Sequence, residues 1–290
     1  MKRLFALLAL LLLLCGCAPT QKPAQVAATT APVYEFTQRL CRGTDITVTR
    51  LITENVSCLH DYSLSVRQVK AAEGAQLIVL SGAGLEDFME NLLSGKATAD
   101  SSRDIHLLGC EHDHDHGHGH GHDHEDADPH IWLSPENAMV MAKNICDSLC
   151  TQYPQHKPLL EENLQQLLQD LLALQDYGKE QLEKLNTREL ITFHDGFAYF
   201  ATAFDLTILK AVEEESGSEA SAGELKELCS LVRAHKLPAI FTEVSGSTGA
   251  ADILSRETGV PIFTLDMAMS GNSYFDAMYH NIDTVKEALG

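Results

Sequence analysis

Basic residues are scarce in this chain. Its 290 residues carry 21 Lys+Arg against 41 Asp+Glu, a formal net charge of −20. Like charge repels, which argues against nucleic acid or an anionic lipid surface as an electrostatic partner and leaves cations as compatible ones. Beyond residue 17 no apolar run is long enough to span a bilayer. There is also no CxxC, no HExxH and no GxSxG, so the sequence carries no thiol pair of that spacing, no zincin signature and no hydrolase elbow. With 44% hydrophobic and 21% charged residues the composition is that of a folded chain, and the length suits one large domain or two ordinary ones. Histidine is the residue in excess: 14 are present, seven of them within thirteen positions.

The amino terminus reads MKRLFALLALLLLLCGC. Lys2 and Arg3 precede a purely apolar stretch, 4–14, that at 1.5 Å per residue covers only about half of a ~30 Å hydrocarbon core. It is expected to be a signal segment (1–17) and not a spanning helix. Leu14-Cys15-Gly16-Cys17 resembles a bacterial lipobox, which implies cleavage before Cys17, lipid on that residue, and a short tether over 18–24. An ordinary secretory signal is the alternative. Six further cysteines remain: Cys41, Cys58, Cys110, Cys146, Cys150 and Cys229. Their spacing defines no disulfide framework, and no pairing is assigned. Cys146 and Cys150 fall at i, i+4 on an expected helix and would share one buried face.

The remainder alternates strand and helix signals. Strands are expected at 26–29, 45–53, 76–81 and 104–108. Helices are expected at 32–40, 63–73, with Ser63 or Ser65 as cap, and 85–93, and another starts at Ser134-Pro135 and runs to about residue 150. Over 156–185, Leu159, Leu160, Leu164, Leu167, Leu168, Leu171, Leu172 and Leu174 recur at spacings of three and four. A single helix of that length reaches about 45 Å and could bridge two domains; a helical hairpin broken near Tyr177-Gly178 is the alternative. The strand–helix alternation then restarts, with strands at 190–193, 206–212, 239–242 and 260–265 and helices at 196–204, 222–235, 248–257 and 274–289. Repeated βα units in both halves predict an α/β protein of two parallel-sheet lobes, 25–155 and 187–290, joined by a long helix over 156–186. Ligands in such folds sit at the carboxyl ends of strands, often in a cleft between domains.

Four residues follow expected strands or occupy adjoining loops: His60, His130, His194 and Asp266. Three neutral imidazoles and a carboxylate make a four-coordinate Zn(II) site, with each second ring nitrogen held by a carboxylate or carbonyl. Asp61, Asp128 and Asp195 are close in sequence to the three histidines. The stretches His60-Asp61-Tyr62, Gly82-Ala83-Gly84-Leu85-Glu86, Asp128-Pro129-His130-Ile131-Trp132-Leu133-Ser134-Pro135, His194-Asp195-Gly196-Phe197-Ala198-Tyr199-Phe200 and Phe241-Thr242-Glu243 resemble the metal-binding lipoproteins of bacterial zinc and manganese ABC importers, the zinc branch in particular. That resemblance runs from Val26 to about Leu289. It implies two α/β lobes on a rigid helix with a metal cleft between them. It implies ligands at His60, His130, His194 and Asp266, with Glu243 or water as competitors for the fourth position. Leu59 stands where relatives often carry Pro. The resemblance further implies a monomer, lipid-anchored outside the cytoplasm, that delivers Zn(II) to an ABC permease. Glu86, Glu224 and Glu243 are family-like positions that either meet the permease or cap and solvate helices.

A second metal feature lies in 111–127, where His112, His114, His116, His118, His120, His122 and His124 alternate with Asp or Gly. Such a segment has no apolar residues to bury, and its imidazoles should bind several ions more weakly than a preformed cleft. Two other functions stay open: a manganese carrier or adhesin of the same family, and a zinc hydrolase with Glu243 as base. Three imidazoles favour Zn(II) over Mn(II), and the missing catalytic motifs weigh against an enzyme.

Overall fold

The computed structural model describes residues 25–54, 59, 62–109, 127–212, 220–269, 271 and 273–290. Cys17, Cys58, His60, Asp61, Cys110 and all seven histidines of the His-rich segment lie outside them.

The first lobe is built from β1 (Val26–Ala28), α1 (Ala31–Leu40), β2 (Val48–Arg50), α2 (Val66–Gly74), β3 (Leu77–Leu80), α3 (Glu90–Leu93) and β4 (Thr98–Asp100). Its helix α4 (Pro135–Gln152) begins at Ser134, whose hydroxyl accepts the Asn137 N–H, with Pro135 in the first turn. Helix α5 (Lys157–Gln181) follows. The second lobe contains β5 (Glu189–Thr192), α6 (Ala198–Ala203), β6 (Thr207–Ala211), α7 (Ala222–His235), β7 (Ile240–Glu243), α8 (Gly249–Thr258), β8 (Ile262–Leu265) and α9 (Tyr274–Leu289).

Both sheets are four-stranded and wholly parallel, ordered β2-β1-β3-β4 and β6-β5-β7-β8. The same order recurs in each lobe. The chain leaves the first strand of each lobe in one direction and returns on its other side, so the switch point falls beside β1 and beside β5. Loops leaving the carboxyl ends there are the natural ligand positions of such a sheet. His194 leaves β5 two residues past its end, and Asp266 follows β8 directly.

Several strands are shorter than expected, while β5 and β7 keep the expected four residues. β2 is limited to three residues because its partner β1 is itself three residues long. The strand expected at 104–108 does not form. The fourth strand is instead Thr98–Asp100, paired with β3. The chain then turns: Asp104 has φ +63°, and Asn144 Nδ2 donates to the carbonyls of Ser101 and Arg103 at 2.9 and 2.8 Å. A left-handed residue and side-chain-satisfied carbonyls do not fit a ladder. The helix expected over 85–93 is a 3₁₀ turn, Asp87–Met89, running into the short α3. Upstream of it Gly82, Ala83 and Gly84 all take positive φ, and Glu86 accepts from the N–H groups of Ser81 and Gly82 at 2.8 and 3.0 Å. The loop's own polar groups thus hold it in a non-helical path. Ser65 caps α2 with a full capping box, settling the choice against Ser63.

The 25-residue α5 is unbroken through Tyr177-Gly178, so the hairpin alternative falls away. At 1.5 Å per residue it reaches about 37 Å. Leu160, Leu167, Leu171 and Leu174 form its buried stripe. It packs against α4 and α1 of the first lobe and α9 of the second. A glycine inside a helix costs about 1 kcal/mol relative to alanine, and here packing explains it. A Cβ on Gly178 would stand 2.2 Å from Phe204 Cε1 and 3.1 Å from Ile282 Cδ1.

The lobes are fused. One apolar cluster contains Phe36, Trp132 and Leu160 together with Phe200, Met267 and Tyr274, while a smaller cluster lies between the second sheet and α7 and α8. Polar bonds stitch the same seam. Fully buried Trp132 donates its indole N–H to the Met267 carbonyl at 2.8 Å, and Tyr274 donates to the Trp132 carbonyl at 2.9 Å. Glu35 accepts the Tyr274 N–H at 2.6 Å, and Arg50 donates to the Met269 carbonyl at 2.9 Å.

Among the described residues Cys41, Cys146, Cys150 and Cys229 are free thiols. No helix there is long and apolar enough to cross a membrane.

Gly178→Ala tests the close approach of α5 to the second lobe. Alanine is the better helix former, yet the substitution is expected to destabilise by about 1–3 kcal/mol because the methyl group displaces Phe204. Urea unfolding followed by circular dichroism reads the effect; a gain in stability would refute the packing account.

Candidate metal centre

His130 ends the loop that enters the 3₁₀ turn Ile131–Leu133. Its backbone N–H donates to Asp128 Oδ1 at 2.9 Å, and its ring Nδ1 meets the same oxygen at 2.8 Å. A carboxylate oxygen accepts, so Nδ1 carries the proton and Nε2 keeps its lone pair. The tautomer that can ligate a metal is therefore set by the short Asp128-Pro129-His130 segment itself. Tyr199 fixes this segment from the second lobe by donating to the Asp128 carbonyl at 3.0 Å while accepting the Leu108 N–H at 2.9 Å. The His130 ring is 3% exposed and lies edge-on to Trp132 and to His194, at centroid distances of 5.4 and 5.3 Å. Asp128 Oδ2 is buried with no hydrogen-bond partner among the described residues, which leaves negative charge beside His130.

His194 is half-buried and sits at the mouth of β5. Gly196 makes room for it: a Cβ there would stand 2.7 Å from His194 Cδ2 and 2.9 Å from its Nε2. Asp266 is buried after β8. Its N–H donates to Asn281 Oδ1 and its carbonyl accepts from Asn281 Nδ2, both at 2.7 Å, while its Oδ1 accepts the Ala268 N–H at 2.8 Å. Helix α9 thereby holds the loop that follows β8. His60 lies outside the described residues. Of its flanks, Leu59 is buried in the core and accepts the Tyr62 N–H at 3.0 Å.

The fold thus brings His130 and His194 together from the two lobes, at an interplanar angle of 83°. Among the described residues no three His, Cys, Asp or Glu side chains stand close enough together to hold an ion. Asp266 does not complete a triad with the two histidines there.

Two of the three family-like glutamates are buried and unsuited to meeting a partner. Glu86 accepts from Thr29 Oγ1 and from two backbone N–H groups, and burial pushes its carboxyl up to about 7. Glu243 ends β7 with its side chain covered, close against Gly246. Glu224 takes the other expected role: it closes a capping box on Ser221 at the start of α7. Sequence reasoning missed Asn281, Gly196 and Trp132 as supports of this region. The one available signal was Gly196 two residues after a histidine at a strand end.

Two parallel-sheet lobes fused along a seam, with two histidines meeting at its edge, define the class of two-lobed binding proteins on a helical backbone. The chain belongs to the ZnuA family, described as zinc-uptake complex component A, periplasmic, whose model matches residues 26–288. It is 31% identical over 308 residues to the zinc-binding lipoprotein AdcA of Streptococcus pneumoniae, covering 99% of this chain but 61% of AdcA. The chain therefore spans less than two thirds of that relative's length. It is 30% identical over 302 residues to the high-affinity zinc uptake system protein ZnuA of Bacillus subtilis, covering 97% of this chain and 94% of that protein. A crystal structure of a zinc-bound ZnuA deletion mutant superposes with a TM-score of 0.78 at 26% identity, over 92% of this chain and 98% of that one.

Gly196→Ala should push the His194 ring away from His130. The imidazole NMR signals of both residues are expected to shift while the unfolding midpoint changes little. Unshifted signals would show that Gly196 does not set the ring position.

Proposed function

We propose that this chain captures Zn(II) outside the cytoplasm and delivers it to an ABC permease in the membrane. The observation that supports this most is the His130–His194 pair, with His130 Nδ1 held by Asp128 so that Nε2 is available to a metal. His60 and Asp266 are proposed to complete the donor set, with Glu243 or water as the competing fourth ligand. Zn(II) is the cargo; coordination and release are the whole of the chemistry, and no bond in a substrate is made or broken. The relatives are named for binding, uptake and transport, which agrees with that reading. The proposed frame is a lipoprotein signal over 1–17 with lipid on Cys17, a tether over 18–24, lobes over 25–155 and 187–290, and a linking helix over 156–186. The chain acts as a monomer, and the histidines of 111–127 form a weaker capture or sensing loop beside the cleft.

Fused lobes constrain release. Opening the two lobes would break the Trp132–Met267 and Tyr274–Trp132 bonds and expose a shared apolar core. Moving one ligand away from the ion disturbs far less. The chain's formal charge of −20 raises the local cation concentration, within the roughly 8–10 Å that salt allows.

Competition titration of Zn(II) against Mn(II), on the chain with and without residues 111–127, is the test. One tight Zn(II) site is expected to survive the deletion, to weaken at least about 100-fold in His60→Ala, His130→Ala or His194→Ala, and to resist Mn(II). Loss of the tight site on deletion would transfer the role to the His-rich segment. Equal competition by Mn(II) would make the chain a manganese carrier.

Asp128→Asn carries a separate expectation. The amide leaves the backbone intact but no longer holds Nδ1–H as a carboxylate does. Zinc affinity should fall by about 10–100-fold with an unchanged unfolding midpoint. Undiminished affinity would mean that Asp128 does not orient the ligand.

A further inference from the structure

Helix α4 carries a feature that the proposed centre does not use. Cys146 and Cys150 lie one turn apart with their Sγ atoms 3.9 Å from each other. Cys146 is buried, and its Sγ lies 3.6 Å from the Leu160 carbonyl at the start of α5. Cys150 is half-buried and lines a surface cleft with Asp147, Thr151, Lys157 and Glu161. One thiol is therefore reachable from solvent and the other lies directly behind it.

A disulfide does not suit this geometry. Ideal helical spacing puts Cβ atoms at i, i+4 about 6 Å apart, whereas a disulfide requires about 3.5–4.5 Å. Closing it would distort α4 where α4 packs on α5. A metal ion spans the pair without that distortion. Two thiolates on a tetrahedral d¹⁰ ion, each at about 2.3 Å, lie about 3.8 Å apart, close to the observed separation.

The geometry points to a second cation site at Cys146 and Cys150, taking a thiophilic divalent ion such as Zn(II) or Cd(II). Binding breaks two S–H bonds, forms two S–metal bonds and releases two protons to solvent, with no electron transfer. The carboxylates of Asp147 and Glu161 add negative charge at the mouth, while Lys157, 3.7 Å from Glu161, offsets part of it. No third His, Cys, Asp or Glu among the described residues completes the set, so water fills the remaining positions. The site therefore binds more weakly than a four-ligand centre and accepts soft ions that oxygen and imidazole donors bind poorly.

The test is a Cd(II) titration of the reduced full-length chain carrying Cys58→Ser and Cys110→Ser, which removes the thiols next to the His-rich segment and His60. The ultraviolet thiolate-to-cadmium band is the readout. A band is expected in this background and should fall at least about twofold on adding Cys146→Ser or Cys150→Ser, because both thiols ligate the same ion. No band in the background, or an unchanged band after Cys150→Ser, overturns the site. Alkylation of Cys150 by iodoacetamide in the otherwise unaltered chain gives a reading that needs no folded variant. Cd(II) should slow it at least about tenfold, since a ligated thiolate is a poor nucleophile; an unchanged rate refutes the proposal.

Discussion

The seam between the lobes is the constraint on which the rest of the molecule depends. Trp132 enters it from the first lobe and Met267 and Tyr274 from the second; the Trp132 indole donates to the Met267 carbonyl, the Tyr274 hydroxyl to the Trp132 carbonyl, and the Tyr274 ring lies edge-on to Phe36. A buried indole N–H or phenol O–H without a partner costs roughly 1–3 kcal/mol, so these bonds specify one register of the lobes. Helix α5 enforces that register from behind by packing on both lobes. His130 and Asp266 are then placed by short tethers to this frame: His130 stands two residues before Trp132, and Asp266 directly precedes Met267.

This arrangement separates rigidity from coordination. The residues that hold the lobes are apolar or paired with backbone, and neither His130 nor His194 is among them. His130 shows the division most clearly. One ring nitrogen is taken by Asp128, its ring edges lie against Trp132 and His194, and the remaining nitrogen keeps its lone pair. Such preorganisation lowers the ordering cost of binding a ligand there.

Periodicity made most of the architecture legible. The leucine stripe of α5, the Ser134-Pro135 start of α4 and the 222–235 and 274–289 helices are visible as spacing and capping chemistry, because those signals are local. The misses have a shared cause. The strand expected at 104–108 and the helix expected over 85–93 both have suitable residues, but side-chain hydrogen bonds fix the chain just before each: Asn144 takes the Ser101 and Arg103 carbonyls, and Glu86 takes the Ser81 and Gly82 N–H groups. Propensity loses where a tertiary hydrogen bond satisfies the backbone differently.

For the candidate site, sequence alone pointed to the residue types, to their positions after strands and to Asp128 beside His130, because ligand chemistry and strand–loop order are written in one dimension. It determined the two-lobe α/β class for the same reason. The tertiary structure decided that Asp128 grips Nδ1, that Gly196 is the space in which His194 lies, that Asn281 clamps the backbone at Asp266, and that the lobes are joined by a common core. Each of these is a contact across space whose partners are either far apart in the chain or adjacent with an orientation that spacing does not encode. A single sequence carries no distance, so a clamp, a close approach or a seam becomes visible only when the chain has folded around it.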